Sequence, residues 1–157
     1  MMAAAIKWAG RNAWLGWMLC LPIFWIAADW AMDRHPPFAV IGPVIVRNAP
    51  PGGTVFFVAD VRRDLYRDCS VRFSRHLIDG AGVRFDFAVD QRVMTADGLR
   101  AMDILMAGKL RLAVEVPRGA NPGKAVHTTE LFYTCNPLHK WWPIEVSMAL
   151  KFVIEAP

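Results

Sequence analysis

From Cys69 onward the chain alternates apolar and polar residues with the period of a β-strand. Val71, Phe73 and Leu77 face one way, and Arg72, Ser74 and His76 the other. Val83, Phe85, Phe87 and Val89 alternate in the same way with Arg84, Asp86 and Asp90. Leu110, Leu112, Val114 and Val116 alternate with Lys109, Arg111 and Glu115, and the six apolar residues from Ile144 to Ile154 with Glu145, Ser147 and Lys151. Three weaker strands are predicted over 44–47, 54–62 and 125–135. Pro50-Pro51-Gly52-Gly53, Asp79-Gly80-Ala81-Gly82 and Asn121-Pro122-Gly123 supply turns between them. Seven short strands, each with one dry face, predict an all-β fold of two antiparallel sheets packed face to face. One segment breaks the pattern: across 95–108, Leu99, Met102, Leu105 and Met106 fall at helical spacing, with Gly108 as C-cap, so a short helix is expected there.

The N-terminal part follows a different rule. Residues 13–28 carry no charge in 16 positions, which predicts a single membrane anchor over 13–32 that contacts the bilayer directly. At ~1.5 Å per residue the uncharged run covers about 24 Å of a ~30 Å hydrocarbon core, so flanking residues must complete the span. Trp14 and Trp30, with Trp8, suit the interfaces, while Lys7 and Arg11 reach back to the headgroups. A cleaved signal peptide would be cut after Ala28, but bulky Ile26 stands where a small residue is required. Lys7 and Arg11 before the helix, against Asp29, Asp33 and Arg34 after it, orient the N-terminus towards the cytoplasm. The expected organisation is a cytoplasmic segment over 1–12, the anchor, a Pro-rich linker over 33–43 and one periplasmic or extracellular domain over 44–157. The expected location is therefore the inner (plasma) membrane.

Charge narrows the partners. The formal net charge is +4, and beyond Asp29 16 basic residues face 13 acidic ones, interspersed along the strands. No basic stripe of the kind that tracks nucleic acid is present. The outer part holds two cysteines, Cys69 and Cys135, an even number in an oxidising compartment, and they are expected to pair. In the predicted sandwich Cys69 opens the third strand and Cys135 closes the sixth, and these two strands are antiparallel neighbours. The bridge would then tie the loop 63–68 to the loop 136–142.

Arg63, Tyr66, Arg67, His139, Trp141 and Trp142 would share that rigid tip, a composition typical of binding hot spots. Two other roles fit the tryptophans: plugging the end of the core, or resting at headgroup level as interfacial tryptophans do. The reading favours contact with a membrane or envelope protein.

Catalytic signals are weak. The four histidines show no metal-ligand spacing, His76 and His127 are expected on outward strand faces, and no Gly-rich phosphate loop precedes a helix. No catalytic residue, metal ligand or cofactor is assigned. Tyr133-Thr134-Cys135 resembles the Tyr-x-Cys of immunoglobulin domains, so the sandwich is similar in architecture to the immunoglobulin and fibronectin III class. The order of Asp-Arg-x-Pro-Pro, Pro-Gly-Gly, Cys-x-Val-x-Phe-x-Arg, Asp-Gly-x-Gly and Tyr-x-Cys-Asn-Pro resembles small membrane-anchored phage and prophage proteins, a group that assigns no residue a role. The expected function is a membrane-anchored, non-catalytic interaction module. The alternatives are a phage or envelope assembly component that self-associates as a homo-oligomer, and an enzyme whose site is not recognisable from sequence.

Overall fold

The computed structural model describes residues 13–64, 66–106 and 108–156. The chain divides into two compact units, one through Arg34 and one from His35 onward. The first contains helix α1, Ala13–Met32, 20 residues with Pro22 inside it. Trp17, Ile23, Phe24 and Trp25 are all exposed on it. Among the described residues no helix is long and apolar enough to cross a membrane; the span expected over 13–32 stands as a proposal on its full sequence. Lys7 and Arg11 lie outside the described residues.

Among its described residues the second unit is all-β, with eight strands in two sheets and one short α-helix. Strands β1 (Phe38–Arg47), β2 (Thr54–Arg63) and β6 (Lys109–Glu115) form one antiparallel sheet in the order β1-β2-β6. The other sheet runs β4-β3-β7-β8, built from β4 (Arg84–Asp86), β3 (Cys69–Ile78), β7 (Gly123–Thr134) and β8 (Ile144–Ile154). Strand β5 (Asp90–Met94) pairs with the first half of β3, and β4 with its last residues. The single strand expected over 83–90 is therefore two, and the total is eight rather than seven. The alternation runs on through Phe87, whose N–H still donates to the Arg75 carbonyl of β3, but β4 itself ends at Asp86 and the strand resumes only at Asp90.

Edge strand β1 opens at Phe38 and carries a bulge between Ile41 and Ile45, where left-handed Gly42 precedes Pro43. Helix α2, Ala96–Met106, forms where helical spacing predicts it. The Thr95 hydroxyl accepts from Gly98 N–H, Asp68 accepts from Ala96 N–H at 2.7 Å, and left-handed Gly108 follows its end.

The two sheets face one another across a core of two clusters. Val55, Phe57, Leu77, Leu150 and Phe152 belong to the larger, in which the Phe57 and Phe152 rings meet edge to face at 5.7 Å. Val71, Tyr133 and Ile144 form the smaller, beside the disulfide. At the end of the larger cluster, Asp79 clamps three segments together. One of its oxygens accepts from Ala81 and Val83 N–H, the other from the backbone and side-chain N–H groups of Asn121. Those bonds, the Asn121 backbone N–H foremost, hold the Asp79 carboxyl down at about 2.

Candidate functional site

Cys69 and Cys135 are joined in a disulfide, as their even number and the strand order predict. Strands β3 and β7 are antiparallel neighbours with Ser70 opposite Thr134, so the loops at 64–68 and 135–143 lie at one end of the domain. The chain also enters the domain here: Asp64 N–H donates to the Pro37 carbonyl, and the Arg67 guanidinium to the His35 carbonyl at 3.0 Å.

The expected tip residues separate into two groups. Tyr66, Trp141 and Trp142 are 86%, 82% and 59% exposed, so neither tryptophan plugs the core. Their backbones are held firmly. Tyr66 N–H donates to the Asp64 carboxylate, and the Arg100 guanidinium lies 5.7 Å from the Tyr66 ring. A 3-10 turn, Pro137–Lys140, leads into the tryptophans, whose N–H groups both donate to the Leu138 carbonyl at 3.1 Å.

Arg63 and His139 are buried instead. Arg63 ends the inward face of β2, donating to the Lys109 carbonyl at 3.2 Å and lying 5.7 Å from the Phe38 ring. The His139 Nδ1 accepts from Cys135 N–H at 3.2 Å, and Asn136 caps the turn by accepting from His139 N–H. These two brace the tip from within and offer a partner no surface. Arg67 is half-buried and held by His35 and Asp64. Trp14 and Trp30 are exposed on α1.

A second site lies between the sheets, where the two core clusters meet. It is a cavity of about 440 Å³ walled mainly by apolar side chains, among them Phe38, Leu112, Leu131 and Met148. Exposed Arg92, Ala113 and Ser147 also bound it, so it reaches the surface. Its polar groups are Arg75, His127 and Thr129 from β3 and β7; Thr129 stands opposite Arg75, and His127 opposite the next inward residue, Leu77. Tyr133 adds a phenol that burial pushes up to about 12, so it stays protonated.

His127 corrects an expectation. It is 2% exposed and faces inward, packed 5.8 Å from the Phe87 ring. Burial first, then the charges of Arg75 and His76, push its imidazole down to about 4, leaving it neutral at ordinary pH. Neither its Nδ1 nor the buried Nε of Arg75 has a hydrogen-bond partner among the described residues. The signal was present in the alternation: Arg75 shares the dry face of Val71, Phe73 and Leu77, and His127 and Thr129 share that of Ala125, Leu131 and Tyr133.

No protein-family model matches this chain, and no curated protein matches it either. Among the described residues no group of three or more His, Cys, Asp or Glu is placed to hold a metal ion.

Proposed function

We propose that this protein is a membrane-tethered, non-catalytic interaction module that engages an envelope or membrane protein through its disulfide-tied tip. One observation carries the reading: three large aromatic side chains, Tyr66, Trp141 and Trp142, stand exposed beside a disulfide, with their backbone N–H groups hydrogen-bonded. Leaving that much apolar area in water is unfavourable unless something covers it. Tyr and Trp are the residues that anchor interfaces, and loops tied by a disulfide and backbone hydrogen bonds lose little entropy on binding.

The scaffold suits this role. With β1, β2 and β6 taken as A, B and E, and β3, β7 and β8 as C, F and G, the strand order resembles the immunoglobulin and fibronectin III class. Such sandwiches present binding loops at their ends. The uncharged run of residues 13–28 would supply the tether, with flanking residues completing the span of a ~30 Å hydrocarbon core. The cysteine pair agrees with an oxidising compartment outside the membrane.

Site-specific photocrosslinking in native membranes tests the reading, with a benzophenone amino acid replacing Trp141 and, as control, Val153 on β8. A discrete protein adduct from Trp141 alone, lost on Tyr66→Ala with Trp142→Ala, is the expected result. Lipid adducts alone would sink it, and a self-adduct would favour the assembly reading. Carbonate extraction that releases the chain from membranes would overturn the tether.

A further inference from the structure

We propose that the cavity between the sheets is a binding site for a single-chain amphipath bearing one anionic group. The chain would lie among Leu112, Leu131, Val146 and Met148, and the anion against Arg75.

Three observations point the same way. The cavity's volume, about 440 Å³, falls in the range of small-molecule sites, roughly 300 to 1,000 Å³, and its walls are mostly aliphatic and aromatic. A purely apolar occupant is ruled against by the polar groups inside. Among the described residues the buried Arg75 Nε has no acceptor and no Asp or Glu lines the cavity, so a half-buried guanidinium presents a desolvated, unsatisfied N–H to the interior. An anionic oxygen would satisfy that N–H and neutralise the guanidinium, and guanidinium groups match carboxylate and phosphate in geometry. Finally, the polar groups are gathered on one wall. Arg75 and Arg92 stand 5.3 Å and 5.5 Å from the same Phe73 ring, and His127 and Thr129 lie on the adjacent strand.

His127, nine-tenths buried and more, completes the polar wall. Its neutral imidazole can donate to or accept from a bound headgroup through the Nδ1 that now has no partner among the described residues. Arg92 sits at the exposed rim, where Asp90 already holds it at 3.0 Å, so Arg75 is the cation left for a ligand. The shared chemistry is an acyl or alkyl chain ending in a carboxylate, as in a free fatty acid, or in a phosphate monoester, as in a lipid phosphate.

The test uses the full chain in phosphatidylcholine nanodiscs and three diazirine probes of equal chain length: a fatty acid, an alkyl phosphate and a fatty alcohol. Labelled peptides are mapped by mass spectrometry. At least one anionic probe should label strands β6, β7 or β8 on the order of tenfold more than the alcohol, the ratio expected for a hydrogen bond to a charged group. The stronger of the two identifies the source. Arg75→Gln should abolish the preference, while Arg72→Gln, on the outer face of the same strand, should keep it. Equal labelling by alcohol and anions, or labelling confined to Ala13–Met32, overturns the proposal. If Arg75→Gln fails to form the disulfide, the wild-type comparison of anion with alcohol decides alone.

Discussion

Acid should destabilise this domain in two separate windows, and the upper one belongs to His127. In the folded chain its imidazole is held at about 4 against an ordinary 6.5, by burial, by the Arg75 charge and by His76. The unfolded chain takes up a proton near 6.5 that the folded chain refuses until about 4. Stability is therefore complete above 6.5 and is lost progressively as pH falls towards 4. At ~1.4 kcal/mol per pH unit the interval sets a ceiling of roughly 3 kcal/mol. Because the cavity reaches the surface, water screens the Arg75 charge, and about 2 kcal/mol is the expected loss. Urea unfolding of the full chain, disulfide intact, would be followed by tryptophan fluorescence across that range. His127→Gln should flatten the curve between about pH 6.5 and 4. Parallel pH profiles for wild type and His127→Gln would refute the argument, because a buried neutral imidazole must leave that signature.

The lower window belongs to Asp79. Its carboxyl is depressed to about 2, so the stability it contributes is present above the ordinary carboxylate range, near 3.8, and is lost as pH falls through about 2. Asp79→Asn should flatten this limb in acid titration of the unfolding midpoint and leave the His127 limb unchanged. Gly80→Ala should destabilise by about 1 to 3 kcal/mol in urea titration, because a Cβ there would collide with the Pro122 carbonyl, a contact that backbone must move to relieve. Reducing Cys69–Cys135, 66 residues apart, should cost about 4 kcal/mol on the chain-entropy model, read as the drop in unfolding free energy with reductant.

Much of the fold was legible because alternation has a single physical cause. A strand with one buried face must place apolar residues at every second position, and β3, β6 and β8 read directly from that rule. The helix at Ala96–Met106 and the turn at Asp79 were equally plain, since caps and glycines announce themselves locally. The break of 83–90 into β4 and β5 was not, because both lie along one edge of β3 and the strand lapses only between Asp86 and Asp90.

The candidate sites divide in the same manner. Which residues could anchor a partner was readable from residue type, and so was the Cys69 to Cys135 pairing once strand order was assumed. Which of them reach solvent was not. Arg63 and His139 lie close in sequence to Tyr66 and Trp141, yet one ends an inward strand face and the other accepts a backbone hydrogen bond beneath the turn.

By itself the sequence determined which faces of each strand stay dry, where the chain turns and which run is apolar throughout, because these follow from neighbours a few residues apart. Only the tertiary structure decided that Arg75 and His127 look into a shared cavity while Trp141 looks out. That outcome depends on how closely two facing sheets approach, a distance set by side chains far apart in sequence.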